Sequence, residues 1–376
     1  MKSRLFATDC RHFRPDSPCR FHKESGKVCV CEHYDQTDMS ILVVKLDAVG
    51  DVLRTTALLP ALRRKFPRAS VTWLTRRAAI PLLENNRLID RSIAVEDPET
   101  QIEIAATLYD LILSPDASLL SSQLAKLAAK EQSEVSGFRF DGRAVVPTNE
   151  AAREWMQLGT DDSLKKANRR TYHDFIGKIT GLDSASLPLY FPRDDERRRT
   201  REFRNREFGD RIVVCLNLGS GLRWPMKRWP AGYFLTVARN LRDAGIGCLV
   251  VAGPDESDLL AEFPSTGAKI FYPQPSVREF AVALDASDIV VTADTLPMHL
   301  AIALRKRTIA LFGPTSMSEI EIVEGEKIGE AIECHTCYRK TCDIVDHCML
   351  RIAPTTVWAA LSRQIDAHRG TMRERL

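Results

Sequence analysis

From Ile41 onward the chain alternates short apolar runs with segments whose apolar residues recur at helical spacing. ILVVKL (41–46) is a β-branched run, DAVGD (47–51) reads as a turn, and VLRTTALLPALRRKF (52–66) carries a helical period. SVTWLT (70–75), SIAV (92–95), LYDLILS (108–114) and EVSGF (134–138) read as further strands, with a helix near SSQLAKLAAK (121–130) before the last. A second series starts at RIVVCLNLGS (211–220). It runs through a helix at AGYFLTVARNLRDAG (231–245), a strand at GCLVVAG (247–253) and a helix at SVREFAVAL (276–284). A strand at DIVVTAD (288–294), a helix at MHLAIALRK (298–306) and a strand at RTIALFG (307–313) complete it. Strands alternating with helices predict parallel α/β units, here two of similar size facing a cleft. The expected organisation is a Cys-rich module at 1–38, a first α/β domain at 39–192 and a charged linker helix at 193–210. A second α/β domain at 211–352 and a C-terminal helix at 353–376 follow.

At 376 residues the length suits two domains, and an apolar share of 44% suffices for a core in each. Basic and acidic residues nearly balance, 53 against 50, so the net charge of +3 does not point to a dedicated nucleic-acid protein. DDERRRTREFRNREFGDR (194–211) is the strongest local charge run; a solvated helix face is preferred there over contact with an anionic lipid or substrate. The start, MKSRLFATDCRHF, has no apolar secretory core, and no stretch approaches the ~18–20 apolar residues that cross a bilayer. The expected setting is cytoplasmic, with at most peripheral contact at the inner face of the membrane.

In an open parallel sheet, ligands bind beyond the carboxyl ends of the strands, at helix N-termini. Four loops therefore carry the candidate chemistry. KLDAVGDV (45–52) presents Asp51, which serves either as a helix N-cap or as a general base at a cleft rim, and Asp47 as a second carboxylate. GSGLRWPMKRWP (219–230) offers small residues for close approach, Gly219 and Ser220, and the cations Lys227 and Arg228. By itself its Gly-Ser-Gly matches neither a P-loop nor a dinucleotide fingerprint. In AGPDESD (252–258), Glu256 either accepts from a ribose or base or supplies first-turn helix charge. VTADTLPMH (291–299) places Asp294 and Thr295 before a helix and His299 one turn into it, a seat for phosphate. No Asp-X-Asp pair occurs, so charge on a diphosphate would fall to Lys227, Arg228 and helix N-termini.

Eight of the ten cysteines bracket this body. Cys334, Cys337, Cys342 and Cys348 have spacing that suits one tetrahedral zinc or iron ion. Cys10, Cys19, Cys29 and Cys31 are more loosely spaced, with His12, His22 and His33 as substitutes. Reduced thiols packed as small hydrophobes are the alternative for both sets. No Cys/His pair lies on the four loops, so any metal is expected to be structural, and no cofactor is expected for catalysis.

ILVVKLDAVGDVLRTTALLPALRRKFP, KRWP at 227–230 and VVTADTLPMHLAIALRKRTIALFGPTS together resemble glycosyltransferase family 9, the ADP-heptose:lipopolysaccharide heptosyltransferases, over about residues 40–358. The CHTCYRKTC…CM segment also resembles family members. The resemblance implies a GT-B fold of two Rossmann-like domains, the acceptor domain at 39–192 and the donor-nucleotide domain at 211–352. It also implies Asp51 as catalytic base, Lys227 on the donor phosphates, and Glu256 on the ribose. It makes Asp294, Thr295 and His299 the donor loop. It implies an inverting, metal-independent transfer of heptose or a related sugar from an ADP-sugar to a lipopolysaccharide core or other surface glycan. A protein acceptor, in an enzyme with cysteine-bound metal, is the nearest alternative. A zinc-stabilised nucleic-acid-binding module is the alternative of another class, disfavoured by the balanced charge. One departure is Leu296, where the family usually has glycine after Asp-Thr; losing that permissive backbone position is expected to bear on the donor sugar.

Overall fold

The computed structural model describes residues 6–14, 17–182, 186–221, 223–271 and 276–374. Two compact units emerge. One comprises Met1–Ala48, Thr55–Met156 and Asp174–Ser186; the other comprises Val49–Arg54, Gln157–His173 and Leu187–Leu376.

In the first unit the apolar runs become β1 (Met39–Val44), β2 (Ala69–Thr75), β3 (Arg91–Ala94), β4 (Leu111–Ser114) and β5 (Glu134–Phe140), joined by β6 (Val145–Pro147). The sheet order is β3-β2-β1-β4-β5-β6, parallel except for β6 on β5. Leu42, Val44, Leu74 and Ile112 are buried beside Leu124 and Ala125 of helix Leu119–Ala128.

The second unit holds β7 (Val213–Asn217), β8 (Gly247–Val251), β9 (Lys269–Phe271), β10 (Ile289–Ala293), β11 (Arg307–Phe312) and β12 (Gly325–Gly329). All pairings are parallel, in the order β12-β11-β10-β7-β8-β9. Read from β9 this is the doubly wound order 3-2-1-4-5-6, whose switch point lies between its first and fourth strands, here β7 and β10. Helix Ala231–Asp243 buries Phe234, Val237 and Leu241, and the C-terminal helix Pro354–Glu374 buries Val357, Ala360 and Leu361 in the same core. Each buried Phe, Val or Leu here stabilises by about 1.5–3 kcal/mol. The expected α/β architecture is present in both units.

The expected helix over 52–66 is three pieces, Val49–Thr55, a 3-10 turn Thr56–Leu58, and Leu59–Lys65. Pro60 sits in the first turn of the last piece, where its missing N–H costs nothing but an unbroken helix is precluded. The charged run forms helix Asp194–Glu207, and it is more than a solvated face. Glu196 is buried against Arg278, and Arg204 donates to Asp288 at 2.8 Å.

The described part of the N-terminal segment has one short helix, Arg20–Ser25, with no buried residue. An arginine ties this segment to the first unit: Arg11 donates to Asp35 (2.8 Å), Asp90 (2.9 Å) and the Ala69 carbonyl (2.7 Å). Asp90 also accepts from Arg63 and from the Val71 amide.

Candidate functional site

The loops after β7, β8 and β10 converge in the second unit, as its switch point requires. Asn217, the last residue of β7, donates to Thr292 of β10 at 2.9 Å and to the Gly219 carbonyl at 3.1 Å, fixing the start of the first loop. Lys227 then reaches across to Asp294, donating to its carbonyl oxygen (2.7 Å) and its Oδ2 (2.8 Å). Both side chains are only 13% exposed. Burial would raise the Asp294 carboxyl, but the Lys227 ammonium overrides it and holds the group below the usual carboxylate range.

Glu256 lies in the first turn of the 3-10 segment Pro254–Leu260, one of the two places expected for it. Its carboxylate is 3% exposed and organises two loops: Oε1 accepts from the amides of Ser220 (3.2 Å) and Gly221 (2.9 Å) and from Arg228 (3.3 Å), while Oε2 accepts from the Gly253 amide (3.0 Å). A Cβ on Gly219 or on Gly253 would lie 2.7 Å from that carboxylate, so both glycines are needed for its approach. Ser220 Oγ and Arg228 Nε, next to this knot, are buried with no hydrogen-bond partner. No protein group satisfies either atom, so both can bond a polar ligand held beside Lys227.

Thr295 caps helix Leu296–Ala303 in extended backbone, and His299 lies within that helix, 7% exposed. Burial, reinforced by Arg54, pushes the imidazole down to about 3, so it is neutral at pH 7. Leu296 is the first helical residue and is not among the positive-φ positions, so a side chain is accommodated there without strain. The departure from the family's glycine therefore has no backbone consequence.

Asp51 is not an N-cap. It sits in the first turn of Val49–Thr55, a helix that the contacts assign through Arg54 to the second unit. A Cβ on Gly50 would lie 3.0 Å from His299 Cδ2, so this glycine lets the helix close on His299. Asp51 is 37% exposed and accepts from Arg54 at 3.2 Å. Arg54 lies 3.8 Å over the Tyr172 ring and donates to the Glu319 carbonyl at 2.9 Å. Asp47 falls in the first unit, where it accepts from Arg76 at 3.3 Å. Two neighbours of Asp51 were not among the sequence candidates, Arg54 and Glu319; nor was Tyr338, whose hydroxyl donates to Glu319 at 3.0 Å. Burial raises the Glu319 carboxyl, and Arg54 and Tyr338 pull it part of the way back.

All the cysteines are free thiols. Cys10, Cys19, Cys29 and Cys31 line one cavity of about 340 Å³ together with His12, His22 and His33. Cys348 is buried; burial pushes its thiol up, and Cys337, Cys334 and Cys342 push the same way, so these four share one neighbourhood. Among the described residues, however, no three His, Cys, Asp or Glu side chains are gathered to hold a metal ion. Nor is any helix there long and apolar enough to cross a membrane.

The sequence model of "Glycosyltransferase family 9 (heptosyltransferase)" matches residues 102–346. Lipooligosaccharide heptosyltransferase 2 of Campylobacter jejuni is 28% identical over 155 residues, 39% of this chain and 48% of that protein; the chain thus spans about half of it. Lipopolysaccharide heptosyltransferase 1 of Pseudomonas aeruginosa is 22% identical over 326 residues, 81% of this chain and 87% of that protein. Among solved structures, a family 9 glycosyl transferase from Veillonella parvula superposes with a TM-score of 0.72 at 19% identity, covering 87% of this chain and 97% of that one. The ADP-heptose lipopolysaccharide heptosyltransferase II of Escherichia coli gives 0.64 at 18%, covering 88% and 100%. These likenesses agree with the two Rossmann-type units expected of a GT-B protein. With the family model matched from helix Thr100–Ala106, ahead of β4, through all six strands of the second sheet, the chain belongs to glycosyltransferase family 9, the heptosyltransferase family.

Proposed function

We propose that this chain is an inverting glycosyltransferase that moves heptose, or a closely related sugar, from an ADP-activated donor to a lipopolysaccharide core or other surface glycan. The observation that carries the reading is the pair of unpartnered polar atoms, Ser220 Oγ and Arg228 Nε, on the switch-point loop beside Lys227. That loop offers hydroxyl and guanidinium donors and one ammonium, which is what a nucleoside diphosphate requires. In the reaction Asp51 takes the proton from the acceptor hydroxyl as its oxygen attacks the anomeric carbon. Lys227 exchanges Asp294 for the departing diphosphate, which Arg228 and the N-terminus of helix Leu296–Ala303 also stabilise. His299, neutral at pH 7, contributes a hydrogen bond rather than charge. Neutralisation by these cations makes a divalent ion dispensable in the step.

The cysteines carry no step. Structural zinc or iron at Cys334, Cys337, Cys342 and Cys348, and at Cys10, Cys19, Cys29 and Cys31, is proposed on donor chemistry alone, since the described geometry gathers no three donors. The names of the relatives support the donor and acceptor classes, and the site of action would be the cytoplasmic side of the membrane. A thermal-shift and product-release panel of ADP-, UDP- and GDP-sugars tests the reading. ADP-heptose should raise the melting temperature most and release ADP when an acceptor is supplied. Preference for a UDP-sugar would overturn it.

A further inference from the structure

The cysteine-rich loop has a use that does not depend on what its thiols hold. Cys337 lies between Thr336 (φ 63°) and Tyr338 (φ 50°), two non-glycine residues in the left-handed region. Such backbone costs of order 1 kcal/mol or more per residue and persists only where the surroundings impose it. The two turns aim Tyr338 at the segment after β11. Its amide donates to the Pro314 carbonyl at 2.8 Å, its hydroxyl accepts from the Ser316 amide at 3.3 Å, and the same hydroxyl donates to Glu319 Oε1 at 3.0 Å. Buried Cys348 backs the segment from another point: a Cβ on Gly313 would lie 3.1 Å from its sulfur. Lys165 caps the ring, 4.8 Å from its centroid. The carbonyl of Glu319 in turn accepts from Arg54 (2.9 Å) and from the Tyr172 amide (3.0 Å), and Arg54 holds Asp51. All of these residues belong to the second unit.

We infer that Tyr338 is a positioning residue for the transfer reaction: through Glu319 and Arg54 it fixes Asp51, and the Cys334–Cys348 loop exists to hold Tyr338 in place. The inference rests on the proposed role of Asp51 but is testable apart from it. Tyr338 touches no reacting atom, so its loss acts on the placement of the base and not on donor affinity.

The experiment compares the full-length wild type with Tyr338→Phe, Glu319→Ala and the double variant by steady-state kinetics with ADP-heptose and by amide hydrogen exchange. Losing a hydrogen bond to a carboxylate is worth roughly tenfold in rate. Tyr338→Phe should therefore lower kcat about tenfold, leave the donor KM within about twofold, and speed exchange across 314–320 and 49–55. Glu319→Ala, which removes the acceptor of the Tyr338 hydroxyl, should do the same. The double variant should lose no more than the worse single one, because both act through one route. Wild-type exchange in both segments for Tyr338→Phe overturns the inference even if no transfer is detected. Wild-type kcat in an active enzyme, or a double loss of about a hundredfold, overturns it too. A wild type that transfers no sugar, with faster exchange in the variant, overturns the proposed function and leaves the positioning role standing.

Discussion

Gly50→Ala probes the contact on which the placement of Asp51 depends. The added Cβ would lie 3.0 Å from His299 Cδ2 and 3.7 Å from Leu296 Cα. Carbon pairs settle at about 3.5–4.0 Å, so roughly 0.5–1 Å must be absorbed. His299 is 7% exposed, with the Asp294 and Arg54 charges close by, so the imidazole has little room to retreat and the helix Val49–Thr55 yields instead. Overpacking of this kind costs about 1–3 kcal/mol, offset by at most ~1 kcal/mol of helix propensity. The net loss of stability, about 0–3 kcal/mol, lowers the melting temperature by up to several degrees. The effect on rate is larger. Asp51 is the next residue and moves with the helix, and a displacement of about 1 Å at a reacting group costs up to ~10²-fold, so kcat should fall about tenfold or more. Coupled ADP-release kinetics and a thermal melt on the same sample measure both quantities. A wild-type kcat with an unchanged melt would refute the packing of Gly50 on His299 and, with it, the described seat of Asp51.

Other expectations follow from single contacts. Lys227→Met leaves a buried carboxylate without its cation, which should cost about 3–5 kcal/mol in denaturant unfolding and raise the donor KM; adding Asp294→Asn should restore the stability but not the KM. His299 titrates near 3 in the folded state against an ordinary ~6.5, so the unfolded chain binds more protons between those values, and this residue makes stability fall as pH drops through that window. His299→Gln should flatten the fall in melts from pH 7 to pH 4, and an unchanged slope would contradict the buried neutral imidazole. Leu296→Gly, which restores the family's usual residue, should cost about 1 kcal/mol of stability and leave donor preference unchanged, because the position is helical. A switch in donor preference in the nucleotide-sugar panel would reject that.

The central strands were legible because Ile41–Val44, Val213–Leu216 and Ile289–Val291 are apolar runs buried on both faces, the pattern of a parallel sheet. Edge strands such as β9 and β12 were not, being short and half polar. Within the site, the loops could be found from the position of each one after a strand. The roles within them depended on tertiary partners. Asp51 looks like a cap in sequence because helix starts are blurred, yet the helix begins two residues earlier. Arg54 was within reach of sequence reasoning, three residues from Asp51 on one helical face. Glu256 was read as a ribose acceptor or as helix charge; its bond from the Gly253 amide follows capping-box spacing, but the donors Ser220, Gly221 and Arg228 lie 28 to 36 residues away, which no spacing rule joins. Tyr338 and Glu319 lie in irregular segments without a period, so their meeting is purely tertiary. The cysteine spacings advertise a metal, whereas the described geometry shows thiols that share neighbourhoods without converging.

The central claim is that Asp51 supplies the base and the switch-point loops hold the nucleotide independently of it. Asp51→Asn keeps the size and the contact with Arg54 but removes basicity. Turnover with ADP-heptose and acceptor, measured beside donor binding by calorimetry on the same protein, tests the claim most directly. Turnover should fall at least about a thousandfold, the scale of a lost catalytic base, while the donor Kd stays within about threefold. Turnover near the wild-type level, or loss of donor binding along with it, would contradict the assignment.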